Sequence, residues 1–150
     1  MNNLDLGCGN KCKEGYIGVD INYNPDIKCD LNNGLPNMWV DNVWMDNSLE
    51  HLTNPIGLLN DIYIKMYNGG IVEIILPNIQ WFPFLIIGWF IDIHKFWNWW
   101  MRLPFKKDRG KHYSLWTPYT IKLILETIGF KILETKGGHL SKQFYIKAQR

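Results

Sequence analysis

The clearest structural signal in this chain lies near its start, in the sequence Leu4-Asp5-Leu6-Gly7-Cys8-Gly9-Asn10. A short apolar stretch of this kind is typical of a buried strand, and the two closely spaced glycines after it predict a tight turn. Because glycine has no Cβ, the backbone of such a turn can pass close to a bound ligand. A second apolar stretch, Gly18-Val19-Asp20-Ile21, ends near an acid. Together, these two stretches predict a nucleotide-binding unit in which Asp20 accepts hydrogen bonds from ribose hydroxyls.

Further segments continue this alternation of strands and turns along the chain. A third short strand ends in an acid at Ile27-Lys28-Cys29-Asp30-Leu31, and a fourth strand runs into the turn Leu49-Glu50-His51. Gly69-Gly70 precedes an apolar fifth strand, and Trp116-Thr117-Pro118 opens a helix that leads to Gly129-Phe130. Strands are expected near residues 3–7, 16–20, 26–30, 41–46, 70–76, 130–136 and 142–148, and the clearest helices at Pro55–Tyr67 and Pro118–Ile128. This order predicts a mostly parallel, doubly wound α/β sheet.

In these motifs the chain resembles the class I S-adenosylmethionine-dependent methyltransferases. The resemblance covers nearly the whole chain except about residues 80–111. It implies S-adenosylmethionine as cofactor and a Rossmann-like, doubly wound, seven-stranded sheet that is mostly parallel with an antiparallel last strand. The alternating sequence from Gln143 to Lys147 is the expected antiparallel strand.

The first crossover of the sheet is expected to be abbreviated. Only Lys11-Cys12-Lys13-Glu14-Gly15 lie between the glycine turn and the second strand, where most relatives have a full helix. In this the chain is similar to a short subgroup of type 11-like methyltransferases with the pattern LxLGCG…GxxxVD. The third glycine of the usual GxGxG is missing, since Asn10 follows Gly9, although asparagine tolerates left-handed backbone geometry.

The resemblance implies a set of cofactor contacts at the ends of the first four strands. Gly7, Cys8 and Gly9 are expected along the methionine portion, Asp20 at the ribose and Asp30 near the adenine. The complete expected set is Asp5, Gly7, Cys8, Gly9, Asp20, Ile21, Asp30, Leu31, Asp46 and Asn47. No metal site is expected.

Two histidines are candidates for a general base. The sulfonium of S-adenosylmethionine already carries a reactive methyl group, but an acceptor hydroxyl would need its proton removed, and histidine titrates near neutral pH. The candidates are His51, just beyond the fourth strand, and His112, just before the last long helix. For His51, packing at the start of a helix is the alternative.

Composition favours one domain of 150 residues, because 47% hydrophobic content can supply a core. A net charge of +2 gives no reason to propose nucleic acid as a partner, and Ser48 and Leu49 replace the prolines that base N-methyltransferases carry after the fourth strand.

The number of cysteines bears on the location of the protein. There are three, Cys8, Cys12 and Cys29, and an odd number favours reducing surroundings and therefore the cytoplasm.

Residues 80–111 form an aromatic insertion with most of the chain's eight tryptophans. Its apolar run from Trp81 to Ile91 is too short for a transmembrane helix, which needs about 20 residues. Three interpretations stay open: a cap over the substrate pocket, peripheral membrane contact through residues 81–105, or a contact in a homo-oligomer.

Two functions follow from these observations. The leading hypothesis is a methyltransferase that acts on a small-molecule or lipid-linked acceptor. The alternative is a non-catalytic protein of the same fold that docks on a membrane or protein partner through the aromatic insertion.

Overall fold

The computed structural model describes residues 1–80, 112–138 and 141–150. In these ranges the chain forms seven strands, two α-helices and two short 3₁₀ turns. The strands are β1 (Asn3–Leu6), β2 (Ile17–Asp20), β3 (Ile27–Lys28), β4 (Val40–Asp46), β5 (Met66–Pro77), β6 (Lys131–Lys136) and β7 (Gln143–Gln149). The helices are α1 (Pro55–Lys65) and α2 (Pro118–Ile128), and the 3₁₀ turns are Leu31–Asn33 and Leu49–His51.

The described strands form one sheet in the order β3-β2-β1-β4-β5-β7-β6. Strands β1 to β5 pair in parallel, and β7 runs antiparallel to both β5 and β6. The predicted Rossmann-like, mostly parallel sheet with an antiparallel last strand is therefore confirmed. Strand order reverses at β1, which has β2 on one side and β4 on the other, and open α/β sheets bind ligands at such a point.

Local sequence sets where both helices begin. The Asn54 side chain caps α1 by accepting a backbone hydrogen bond, and Pro55 occupies the first turn, where its missing N–H costs nothing. At α2, the side chains of Thr117 and Thr120 each bond to the other residue's backbone in a capping box. The helix ends at Gly129, whose φ of 120° lies outside the range that other residues favour.

The core lies between the two helices and one face of the sheet. Helices α1 and α2 contact each other, and their residues Leu59 and Ile121 are fully buried. Along β5, Val72, Ile74 and Leu76 are fully buried in the same cluster, while the residues between them are partly exposed. This period-two pattern directs alternate side chains to the helix-covered face.

The abbreviated first crossover is also confirmed. The described residues 7–16 contain no helix between β1 and β2. The backbone amide of Lys13 instead donates a hydrogen bond to Oδ2 of Asp5, at 2.7 Å, and ties this loop to the sheet.

Helix α1 is shorter than predicted, because it ends at Lys65 rather than Tyr67. Strand β5 begins at once with Met66, which pairs with Val40. The register then shifts between Val40 and Asn42, and Gly69, in the irregular part of β5 opposite this shift, adopts a φ of 84°.

Neither described helix has the length and apolar content that crossing a bilayer requires. The aromatic insertion at about residues 80–111, with its expected membrane contact at 81–105, lies outside the described residues except for Gln80. Its role, and the single domain expected over residues 1–150, stay predictions.

Candidate functional site

A cavity of about 370 Å³ lies at the carboxyl ends of β1 and β4, against the loop that joins β1 to β2. Its lining comes from both strands and from the loop: Asp5, Gly7, Cys8, Lys11, Cys12, Lys13, Glu14, Trp44 and Asp46. Four of these, Asp5, Gly7, Cys8 and Asp46, belong to the predicted cofactor set. The cavity is thus located where the strand order reverses.

The two glycines of the turn serve different purposes. Gly7 has a φ of 72°, and a Cβ on it would lie 2.5 Å from Cβ of Ser48. Gly9 has a φ of 60°, but among the described residues no atom lies within 4 Å of the place its Cβ would take. Gly7 therefore allows the turn to pack on the segment after β4, while Gly9 leaves open space that a ligand can fill.

Asp20 and Asp5 hold the loop through their carboxylates. Oδ2 of Asp20 accepts a hydrogen bond from the Gly9 amide at 3.0 Å, so the predicted ribose acid lies beside the glycine turn. Asp5 is 4% exposed, and burial raises its pKa. The Lys13 amide opposes this shift, and the negative charges of Asp46 and Asp20 reinforce it. These three carboxylates thus interact at one edge of the sheet.

The other predicted cofactor residues lie outside the cavity lining. Oδ1 of Asp30 accepts a hydrogen bond from the Asn32 amide and caps the turn that follows. Leu31 is buried in the core, Ile21 is exposed, and Asn47 has a φ of 48° and accepts a bond from the Gln143 side chain. Their contacts with a cofactor stay predictions.

This edge fits S-adenosylmethionine. The sulfonium and the amino group of that molecule are positively charged, and the carboxylates of Asp5, Asp20 and Asp46 can attract them at this edge, where Lys11 and Lys13 also line the cavity. The open space at Gly9 leaves room for the molecule beside the turn. The residues that would hold it are Gly7, Cys8 and Gly9 along the methionine portion and Asp20 at the ribose, and these contacts stay predictions.

The two histidines predicted as general bases lie next to each other. Their ring centroids are 4.7 Å apart, with the rings edge to face. His51 ends the turn Leu49–His51, and the amides of Tyr113 and Ser114 donate to the Glu50 carbonyl at 2.8 and 3.3 Å. These backbone bonds hold the segment with His112 against the turn with His51.

Glu50, which was not among the predicted site residues, lies with these two histidines. The residue is 1% exposed, and its Oε1 lies 3.9 Å from Nε2 of His51. Burial raises the pKa of Glu50 to about 7, against the effect of its own backbone amide and with a smaller contribution from Asp46. Burial also lowers the pKa of His112, and His51 lowers it further. The sequence shows Glu50 only as an acid next to His51, and the position of Glu50 in the chain does not reveal that its side chain is buried.

Several buried polar atoms around the histidines have no hydrogen-bond partner among the described residues. They are Oγ of Ser48, Oε2 of Glu50, Oγ of Ser114 and Nε1 of Trp116. All four belong to the two segments that meet through the Glu50 carbonyl. Buried polar groups are nearly always paired in folded proteins, so their concentration here suits the polar part of a ligand.

Comparison with known proteins identifies the family. The family model of a methyltransferase domain matches residues 1–135 of the chain. None of the curated proteins gives a match.

Solved structures similar to this one include several S-adenosylmethionine-dependent methyltransferases. One from Mesorhizobium loti is 15% identical, with 99% of this chain and 90% of that chain covered and a TM-score of 0.67. A possible histamine N-methyltransferase from Thermotoga maritima is 11% identical, with 99% and 81% covered and a TM-score of 0.68. Magnesium protoporphyrin IX methyltransferase from Synechocystis, with S-adenosylhomocysteine bound, is 15% identical, with 100% and 74% covered and a TM-score of 0.64.

The match to the family model spans most of the chain, and the sheet order is the one expected from the motifs. The chain therefore belongs to the methyltransferase family, as a class I member with S-adenosylmethionine as its cofactor.

Proposed function

We propose that this chain transfers a methyl group from S-adenosylmethionine to an oxygen, nitrogen or carbon atom of a small-molecule or lipid-linked acceptor. The observation that carries the proposal is the adjacency of two sites. Ser48 packs on Gly7 of the cofactor turn, and its backbone carbonyl accepts a hydrogen bond from the His51 amide at 3.1 Å. A cofactor cavity and a pair of histidines thus share one edge of the sheet.

The chain's own residues have separable tasks in this proposal. When bound, S-adenosylmethionine supplies an activated methyl group. Asp5 and Asp46 attract its positive charge, and Asp20 orients its ribose. Burial lowers the pKa of His112, which favours the neutral imidazole, the form that can accept a proton from an acceptor hydroxyl. Holding donor and acceptor in line can contribute roughly 7–11 kcal/mol.

A small-molecule acceptor is favoured by two observations. Two of the similar structures are named for small molecules: a possible histamine N-methyltransferase from Thermotoga maritima and magnesium protoporphyrin IX methyltransferase from Synechocystis. The unpartnered polar atoms near His51 and His112 suit the polar part of such a molecule.

The first experiment is calorimetric titration of the purified chain with S-adenosylmethionine and S-adenosylhomocysteine. We expect micromolar binding of both. A screen of small-molecule and lipid extracts with an isotopically labelled methyl donor then identifies the acceptor. His112→Ala is the matched variant: it should retain cofactor binding but lose methyl transfer to a hydroxyl. No detectable binding of either cofactor form would overturn the proposal.

Location and docking form the remaining parts of the proposal. We place the protein in the cytoplasm because Cys8, Cys12 and Cys29 are all free thiols, which suits reducing surroundings. The alternative function, docking through residues 81–105, concerns residues outside the described ranges. Co-sedimentation with liposomes, with and without that segment, tests it.

A further inference from the structure

Three side chains of metal-binding type converge at the end of β4. One candidate ligand atom from each of Glu50, His51 and His112 lies within 4.8 Å of the other two. Two imidazole nitrogens and one carboxylate form a donor set that binds divalent transition metals and leaves coordination positions open.

We propose that Glu50, His51 and His112 bind one divalent transition-metal ion whose open coordination positions take an oxygen of the methyl acceptor. Binding of the metal does not depend on the proposed function, whereas coordination of the acceptor oxygen rests on it. A His112 nitrogen that coordinates the ion cannot also accept the acceptor's proton, so in the metal-bound protein a hydroxyl coordinated to the ion would lose its proton to solvent instead.

The burial of Glu50 is the first argument for a cation here. Its carboxyl group is 1% exposed, and among the described residues its Oε2 has no hydrogen-bond partner. In the described part of the chain, Oε1 of Glu50 lies 3.9 Å from Nε2 of His51, beyond hydrogen-bonding distance. A buried carboxylate is costly unless a positive charge or hydrogen bonds compensate it. A metal ion between Oε1 or Oε2 and the imidazoles would provide that compensation.

The backbone around the cluster is the second argument, because it holds together the two segments that carry the three donor side chains. The amides of Tyr113 and Ser114 both bond to the Glu50 carbonyl, and the His51 amide donates to the Ser48 carbonyl at 3.1 Å. The cluster therefore joins a turn after β4 to a distant segment by main-chain bonds rather than by side chains alone. Such support is what a metal site needs to hold its ligands in place.

The separations require only side-chain adjustment. Bonds of about 2.0–2.2 Å from a metal to nitrogen and oxygen place the donor atoms roughly 3–4 Å apart. Donor atoms within 4.8 Å must then approach by about 1 Å in the widest case.

Imidazole ligands indicate which ions to use as probes. Nitrogen donors favour Zn²⁺, Co²⁺ and Fe²⁺, whereas Mg²⁺ prefers an all-oxygen octahedral shell. We therefore expect Zn²⁺ and Co²⁺ to bind at least ten-fold more tightly than Mg²⁺.

The test uses the full chain after treatment with a chelator. Calorimetry with Zn²⁺, and visible absorption with Co²⁺, are expected to show one equivalent bound. Glu50→Gln and His112→Gln should each weaken binding at least ten-fold. Cys8→Ser and Cys12→Ser should leave the metal stoichiometry unchanged. That result would exclude these two thiols, which are soft ligands for Zn²⁺, as the metal site. Absence of Co²⁺ and Zn²⁺ binding, or binding that persists in both Gln variants, would overturn the proposal.

Two further measurements distinguish failure of the metal proposal from failure of the proposed function and from misfolding of a variant. Thermal unfolding checks that each variant folds, and His51→Gln serves as an additional ligand variant if one does not. S-Adenosylhomocysteine is titrated into the metal-free protein in parallel. If it binds and metal does not, the metal site is wrong and the methyltransferase proposal stands. If metal binds in one equivalent and S-adenosylhomocysteine does not, the metal site stands and the proposed function fails.

Discussion

The carboxylate of Asp20 joins the end of β2 to the glycine turn, because its Oδ2 accepts a hydrogen bond from the backbone amide of Gly9 at 3.0 Å. Its Oδ1 accepts another from the Asn22 amide at 2.8 Å. Hydrogen bonds to an ionised acceptor are stronger than neutral ones. One residue thus shapes the turn and also presents the carboxylate proposed to hold the ribose.

Replacement of Asp20 should therefore weaken cofactor binding more than it weakens the fold. We expect Asp20→Ala to lower the affinity for S-adenosylhomocysteine at least ten-fold in calorimetry, with a loss of about 1–2 kcal/mol in the free energy of unfolding. The matched control is Asp26→Asn, since Oδ2 of Asp26 accepts a similar bond from the Gly18 amide at 2.7 Å. It should affect stability alone. Equal affinities for Asp20→Ala and the native chain would refute the ribose assignment.

The glycines of the loop allow a second test, because they have left-handed backbones but different surroundings. In Gly9→Ala the new Cβ enters open space beside the turn, so the stability cost is about 1–2 kcal/mol of backbone strain while cofactor affinity should fall at least ten-fold. Gly15→Ala is the control, with a φ of 78° and similarly open surroundings among the described residues. It should show the strain with unchanged affinity for S-adenosylhomocysteine.

Gly7→Ala completes that series. Its Cβ would lie 2.5 Å from Cβ of Ser48, so it adds a steric conflict to the strain at a φ of 72°. We expect the lowest unfolding midpoint of the three variants in urea. A Gly7→Ala chain as stable as Gly15→Ala would contradict the packing of the turn on Ser48.

The sequence predicted the parts of the site that depend on neighbours along the chain. Gly7, Gly9 and Asp20 belong to two strand ends, and adjacent parallel strands bring such ends together. Glu50 was missed because its partners, the amides of Tyr113 and Ser114, lie far away in the chain and bond to its backbone. Neither hydrophobic periodicity nor residue type encodes a contact of that kind.

The end of α1 shows the same limit in the fold. Its apolar pattern continues to Tyr67, yet Met66 pairs with Val40 and Tyr67 stacks on Trp39, with ring centroids 5.6 Å apart. Pairing with a strand elsewhere in the chain thus overrides the local helical preference at these residues.

Gly18 is expected to be required for packing rather than for backbone geometry. A Cβ on it would lie 2.2 Å from Sγ of Cys12 and 2.9 Å from Sγ of Cys8. We expect Gly18→Ala to lower the free energy of unfolding by about 1–3 kcal/mol, as overpacking does, and added Cys12→Ala to recover at least half of it. Urea denaturation of both variants measures this. Gly138→Ala, with no described atom within 4 Å of its Cβ, is the control and should change stability little.

If the Cys12→Ala background instead left the cost of Gly18→Ala unchanged, the two residues would not be in contact. In that case the conflict would have to come from Cys8 alone, which Cys8→Ala in the same background would show.

The Cys8 thiol is expected to react slowly with alkylating reagents in the folded protein. Burial raises its pKa to about 12 from an ordinary value of 9.0, and the hydrogen bond with the Cys12 thiol adds to the shift. The thiolate is the reactive form, and the raised pKa lowers the fraction of Cys8 that is ionised at pH 8. Native Cys8 should therefore be alkylated by iodoacetamide far more slowly than the same residue in denaturant, as mass spectrometry of the digested chain can measure. Since the folded pKa is raised, the rate should keep rising beyond about pH 10, where an ordinary thiol is almost fully ionised and its rate levels off. A plateau near pH 10 would show that the thiol is not shielded as the structure indicates.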